Sequence, residues 1–469
     1  MDMLGGARPV ESYLRDSART TVSRLQALVL ACLGLAIIGV LYSGIVPANL
    51  LVAAICGLWL AIPAWRLVCL HQAQPIAVVA AEPIVWPRYT VVAALYDEAA
   101  ILPQLIQRLS QIDYPADRLQ GFIALEADDL ATRLAAETVA RPDWLKILVV
   151  PPGSPKTKPR ALNHALERAT GDLITIYDAE DDPDPLQLKE AAARFMAEPA
   201  DLVCLQAPLR IRCRDKSRST SPFLDTHFAV EYAALFEVTL PALARLGMPF
   251  PLGGTSNHFR VGRLREIGGW DAWNVTEDAD LGFRIWRTGG RLGVLSRPTY
   301  ETPPGDLRLW LPQRTRWIKG YLQTLLLHTR HSVGMGPRGW LAMGLTIGAG
   351  TLSASVHAIS VAWVAAISLT ALVSGQLPPV PPLASATFLI GTIATLLVAI
   401  EGARRAGVRF KPWDMVIAPA YWSLLTLAFV HALARLVFEP HRWDKTPHRP
   451  EVEREDEAEV FAGAGRQAA

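Results

Sequence analysis

The placing of its apolar runs constrains this chain more than any other feature. Leu25 to Val46 and Leu50 to Leu70 are almost wholly apolar, and each is long enough to cross the hydrocarbon core as a helix. Three more runs, about 340–373, 384–400 and 415–438, follow the middle of the chain. Between the two groups, from Trp86 to Lys319, the composition is that of an ordinary globular domain. The 51% hydrophobic content is therefore unevenly spread, and the pattern is a soluble domain set between membrane segments. A signal peptide does not fit the first run, because a second span follows at once.

Arg8, Arg15, Arg19 and Arg24 precede the first run and place the N-terminus inside, so two crossings return Trp86 to the cytoplasm. The run at 340–373 reads as an interfacial helix plus one span, or as a longer broken pair. Arg404, Arg405, Arg409 and Lys411 put the loop before the last run inside, and the basic HRWDKTPHR after it asks for the same side. One crossing cannot satisfy both. Either the segment around Pro419 is re-entrant or the charge signal misleads.

The expected division is 1–85 (N-terminus and two spans), 86–330 (cytoplasmic catalytic domain), 331–440 (interfacial helix and spans) and 441–469. The last part is a polar tail with too few bulky apolar residues to pack. The net charge of +2 and the lack of a basic stripe argue against nucleic acid as a partner. Five scattered cysteines, Cys32, Cys56, Cys69, Cys204 and Cys213, have no paired spacing and read as reduced thiols.

Within the middle, β-rich runs alternate with helical ones. YTVVAALY (89–96), GFIALE (121–126), LKILVV (145–150) and DLITIY (172–177) read as strands. Ala99–Leu109, Ala131–Ala140 and Lys158–Arg168 read as helices. This alternation predicts an α/β fold with a largely parallel sheet. Ligands bind beyond the carboxyl ends of such strands. Asp97–Glu98, Glu126–Asp128 and Asp178–Glu180 all stand at those ends.

YDAEDDPDP (177–185) crowds five carboxylates into one stretch. As a solvated turn it would be unremarked. At a strand end, Asp178 and Glu180 on one side of an extended chain make a hard-oxygen site suited to Mg²⁺ or Mn²⁺, and Asp182 and Asp184 fall to the turn. Lys158 opens a helix, where its charge opposes the helix dipole, so a phosphate is the better reason for it. Gly253 and Gly254 in GGTSNHFR allow backbone to approach a ligand. In NVTEDADLGFRIWRTGG, Asn274 and Glu277 read as a capping box, and the helix dipole would hold Asp278 ionised as a general base. Pro312 suits a first helical position, after which Gln313, Arg316 and Trp317 share one face. The bland reading of that face is an interfacial helix with its Arg and Trp at headgroup level. The functional one is a sugar site: an amide and a guanidinium for hydroxyls and phosphate, an indole for stacking.

YDAED, GGTSNHFR, TED and QRTRW, in this order and between apolar runs, resemble the processive family-2 inverting glycosyltransferases, which include cellulose, chitin and hyaluronan synthases. The closing WDKTPH resembles the end of many bacterial members. The resemblance covers about Tyr89 to Thr324 and implies a GT-A nucleotide-sugar domain. It implies Asp278 as catalytic base and Asp178 and Glu180 as ligands of Mg²⁺ or Mn²⁺. Gln313, Arg316 and Trp317, with Gly254, Thr255 and Glu277, would hold the acceptor end and the pyrophosphate. Tyr96, Glu98, Glu126, Asp128 and Lys158 would bind the nucleotide sugar. LYDEA and LEADD depart from the commoner forms of the first two strand ends.

The implied function is transfer of a sugar from a UDP-sugar to a growing polysaccharide, coupled to export, by a multi-pass protein of the bacterial inner membrane. The partners are then the donor, the polysaccharide acceptor and the bilayer; export partners stay unknown. Two alternatives stand beside it: transfer of one sugar to a polyprenyl-phosphate lipid, and a non-catalytic envelope or receptor component.

Overall fold

The computed structural model describes residues 17–43, 47–74, 85–212, 220–376 and 382–443, with the single positions 378, 380 and 450. Arg8, Arg15, Cys213 and most of the polar tail lie outside the described residues. Cys56, Cys69 and Cys204 are free and buried, whereas Cys32 is free and exposed.

Two helices, α1 (Arg24–Ser43) and α2 (Ala48–Gln72), precede the sheet. The sheet then builds in alternation: β1 (Tyr89–Leu95), α3 (Leu102–Leu109), β2 (Leu119–Glu126), α4 (Leu130–Thr138), β3 (Leu145–Val150), α5 (Lys158–Arg168) and β4 (Leu173–Tyr177). β5 (Asp182–Pro183), α6 (Gln187–Ala197), β6 (Leu202–Gln206), β7 (Leu209–Ile211), α7 (Pro222–Ala233) and α8 (Leu240–Arg245) follow. The domain closes with β8 (Asn257–Arg260), α9 (Val261–Ile267), α10 (Glu277–Arg287), β9 (Arg291–Val294), β10 (Thr299–Glu301) and the long α11 (Leu307–Arg330).

Seven strands form one sheet in the order β3-β2-β1-β4-β8-β6-β9, in which β8 alone runs antiparallel to its neighbours. β5, β10 and β7 form a smaller sheet beside it. Successive residues of β1 feed opposite faces: Val92 packs into one apolar cluster with α5 and β4, while Val91 and Ala93 pack into another with α3 and α6. Both faces are buried, which is why these strands read as continuous apolar runs. β1, β2 and β4 are adjacent and parallel, so their acid-bearing ends meet at one edge. The expected α/β sheet is what the chain forms.

Beyond the domain, α12 (Gly336–Met343) runs through a short π-helical turn (Gly344–Gly348) into α13 (Ala349–Ser374), so the first late apolar run is one continuous helical stretch. α14 (Pro382–Ala406) and α15 (Pro412–Phe438) complete the chain. Among the described residues, four helical stretches are long and apolar enough to cross a membrane: Ala53–Gln72, Gly336–Ser374, Pro382–Ala406 and Pro412–Phe438. The apolar stretch of α1, Arg24–Val40, is shorter among the described residues.

The last apolar helix makes bonds to the domain along its length. Near the start of α15, Asp414 O lies 3.0 Å from His227 Nε2 on α7. Past its end, Lys319 Nζ on α11 donates to Glu439 O at 3.0 Å and Arg442 O at 2.8 Å. In between, Tyr421 donates to Glu231 of α7. Both ends of α15 are therefore bonded to helices of the domain, α7 and α11. α15 lies along that domain, with α13 packed on it through His357 and Trp422.

Candidate active site

The five crowded carboxylates separate once β4 ends. The chain turns at once, with Asp181 N–H bonding back to Asp178 O, so Asp178 and Glu180 do not lie on an extended strand as the spacing suggested. Both still line one pocket. Asp181 points inward and is fully buried, accepting from Asp178 N–H at 2.7 Å and from the Thr255 hydroxyl. Asp182 pairs with Arg212 and Asp184 with Arg297. The crowding is thus two acids facing a pocket, one locking the turn from behind, and two answered by arginines.

The same pocket collects Tyr96 and Glu98 from the end of β1, Glu126 from β2 and Lys158 from the start of α5. Asp128 is not among its lining residues. It is exposed and ion-paired at 2.6 Å with Lys156, whose ammonium sits 4.0 Å over the Tyr96 ring. Asp129, one residue on, carries the structural role at this end, capping α4 through Thr132 N–H and accepting from Asp97 N–H at 2.6 Å. The Glu126 carboxylate is held by Arg160 of α5. Lys158 reaches Asp178 and donates to Gly254 O at 2.7 Å. Burial opposes the Lys158 charge, but Asp178 and Glu277 together outweigh it and hold the ammonium firmly protonated.

α10 begins at Glu277, not at Asn274, and Thr276 stands at its cap position without a side-chain bond. The expected capping box does not form. Asn274 instead accepts from Thr276 N–H at 3.0 Å and donates to Thr324 on α11. Glu277 and Asp278 line the pocket, whereas Asp280 is fully buried 3.0 Å from His328. Gly254 backs Asp278: a Cβ there would stand 3.2 Å from Asp278 Oδ2. Thr255 lines the same pocket, its hydroxyl engaged by Asp181 and Ile176 O. Burial pushes the Asp278 carboxyl above its ordinary value despite the Ala279 N–H that donates to it. The helix terminus does not hold it as low as the sequence suggested, because desolvation is the larger effect. Burial and the neighbouring Asp278 push Glu277 up as well.

α11 starts at Leu307, capped by Asp306, so Pro312 lies inside the helix and not at its first position. Gln313, Arg316 and Trp317 all face the pocket. Gln313 Oε1 and Arg316 Nε are buried without a hydrogen-bond partner from the protein. Gly320 lets α11 press onto Thr276, since any Cβ there would collide with that side chain. Two further groups line the pocket: Glu301 from the end of β10, which had no clear sequence signal, and Trp443 of the WDKTPH stretch, which lies 4.5 Å from the Arg316 guanidinium.

For a divalent cation, the protein offers the Asp178 and Glu180 carboxylates at the pocket floor, with a buried, unpartnered Asp181 Oδ1 behind them. Among the described residues no group of three or more His, Cys, Asp or Glu side chains is arranged around one point. Two carboxylates with remaining places for diphosphate and water suit Mg²⁺, which is rarely caged by protein alone. The donor set fits.

A parallel sheet interrupted by one antiparallel strand, with acids gathered at its carboxyl edge, defines a GT-A-like fold. Consistent with that, the structure resembles a mannosyltransferase from Pyrobaculum calidifontis solved with GDP-Man and Mn²⁺ (TM-score 0.55, 19% identity, 82% of this chain and 98% of that one). Residues 173–400 match the family model described as glycosyl transferase family group 2. That match takes in just under half of the chain. The chain is 25% identical over 275 residues to a beta-monoglucosyldiacylglycerol synthase from Synechocystis sp., covering 58% of this chain and 55% of that protein. It is 28% identical over 255 residues to the cellulose synthase 1 catalytic subunit of Komagataeibacter xylinus, covering 52% of this chain and 32% of that one. The chain thus spans about half the length, or less, of these curated relatives.

Proposed function

We propose that this protein is an inverting glycosyltransferase that moves a hexose from a UDP-sugar to the end of a growing polysaccharide at the cytoplasmic face of the bacterial inner membrane. The observation that supports it most is the convergence, in one pocket, of Asp278, the strand-end carboxylates Asp178 and Glu180, and the Gln313–Arg316–Trp317 face. In a single displacement the acceptor hydroxyl attacks the anomeric carbon, Asp278 takes its proton, and the bond to UDP breaks with the electron pair leaving on phosphate. Asp178 and Glu180 would hold a divalent cation, which would supply charge neutralisation for that leaving group. Lys158 and Arg316 add fixed positive charge on two sides. Trp317 offers the acceptor an aromatic face, and its wall is shared with a cavity among the apolar helices that would receive the product for export.

A second reading, addition of one sugar to a membrane lipid, draws on the printed name of the Synechocystis relative. Product size separates the two. Full-length protein in vesicles, given labelled UDP- and GDP-sugars in turn, is expected to make a polymer from a UDP-sugar. Label confined to a lipid extract carrying one sugar would overturn the polymer reading.

A further inference from the structure

A second cavity, about 340 Å³ and so of ligand size, lies between α2, α13 and α14 on one side and α7, α11 and α15 on the other. It shares Tyr232, Trp317 and Tyr321 with the catalytic pocket, so the two are neighbours through one aromatic wall. Arg66 of α2 lines it, half-buried, with its guanidinium bonded to the Thr395 hydroxyl of α14. Arg66 does not snorkel toward the helix end. Arg405 donates to Ala73 O at 2.7 Å, which fixes the domain-side ends of α14 and α2 level with each other. Arg66 and Thr395 meet across the helices about two to three turns deeper.

A cation at such a place is costly unless something answers its charge. Glu231 is the only carboxylate among the described lining residues, and it is already held by Arg314 and Tyr421. Cys69 and His357, the titratable groups beside Arg66, carry no negative charge near neutral pH. A neutral sugar hydroxyl needs only an amide or hydroxyl partner, which would spare the protein a buried charge. A guanidinium is the side chain suited to a carboxylate or phosphate, which it binds by two parallel N–H bonds.

We propose that Arg66 and Thr395 form a subsite for an acidic group on the acceptor glycan, so that the polymer made at Trp317 bears carboxylate or phosphate substituents. This rests on the polysaccharide reading above and adds the chemical class of the acceptor. Binding is the test, measured on the full-length protein in neutral-lipid nanodiscs with a uronate-containing oligosaccharide and a neutral glucan of equal length. The acidic probe is expected to bind more tightly, and Arg66→Gln to weaken it by about tenfold or more, the usual scale for losing one partner of a buried charge pair. Arg66→Lys is expected to restore part of that affinity, with UDP binding unchanged in both variants as a check on folding. Equal affinity for the two probes, or an Arg66→Gln variant that keeps the wild-type preference, would overturn the subsite. So would an Arg66 dependence that appears with anionic-lipid nanodiscs but not with the acidic glycan, since the charge would then serve lipid. Polymer formation from labelled donor is scored separately, so failure of the polysaccharide reading shows there and not in the binding ratio.

Discussion

The two halves of the catalytic pocket are built on opposite plans. On the strand-end side most charges are answered before any ligand arrives: Lys158 holds Asp178, Arg160 holds Glu126 and Lys156 holds Asp128. On the α10–α11 side, polar atoms are left over. Gln313 Oε1, Arg316 Nε and Thr276 Oγ1 are buried with no partner here, as Asp181 Oδ1 and Arg160 Nε are on the other side, and burial raises the Asp278 and Glu277 carboxyls against the opposing Lys158 and Arg316 charges. A charge-balanced wall can accept a nucleotide with a cation as a neutral package. A wall with open hydrogen-bonding capacity gains most when an acceptor and a developing charge fill it. On the function proposed, binding falls to one side and bond-making to the other.

The sharpest way to break this contrast is Asp278→Asn. It removes the proton acceptor and keeps the shape, so turnover is expected to fall by roughly a hundredfold or more while UDP binding persists. Near-normal turnover by initial-rate assay would move the base to Glu277 and dissolve the division. Trp317 comes next. It lies beside Tyr232 and Phe228 with the Arg314 guanidinium 4.4 Å from its ring. Trp317→Ala is expected to abolish most polymer synthesis and Trp317→Phe to reduce it, both with normal membrane insertion and little change in donor affinity. A Trp317→Ala protein making full-length product would make this face purely structural.

Asp178→Ala acts on the balanced side. It should remove the divalent-metal dependence of UDP binding seen by calorimetry and leave the domain folded, because Lys158 keeps its bond to Gly254 O. Metal-assisted binding that survives the change would return the acidic turn to a scaffold. The smallest expected effect concerns pH. A base must be deprotonated to work, and burial raises the Asp278 carboxyl. Activity should therefore be lost on acidification at a pH above the ordinary aspartate range, with UDP binding little changed there. An acid limb at the ordinary carboxylate value would show Asp278 to be solvated in the working enzyme.

How much of this was legible depended on the range of the signal. Continuous β-rich apolar runs ending in acids placed β1, β2 and β4 and the carboxylates at their ends, because strand formation is local. The same logic found Lys158 at a helix start and the shared face of Gln313, Arg316 and Trp317. It could not sort acids of similar local setting. Asp128 and Asp129 are neighbours, yet one is exposed beside Lys156 and the other caps α4. Asp181 looked like one more turn residue until Thr255, far along the chain, met it.

What the sequence by itself determined is the kind of sheet, the edge at which its acids gather, and the apolar stretches around it. These follow from periodicity and composition over a few residues. Only the tertiary structure decided which acids face ligand, how burial alters Asp278, that Glu301 and Trp443 join the pocket, and that both ends of α15 are tied to one domain. The reason is physical: desolvation, charge pairing and helix anchoring depend on groups brought together from distant parts of the chain. A short window of sequence carries no record of those partners.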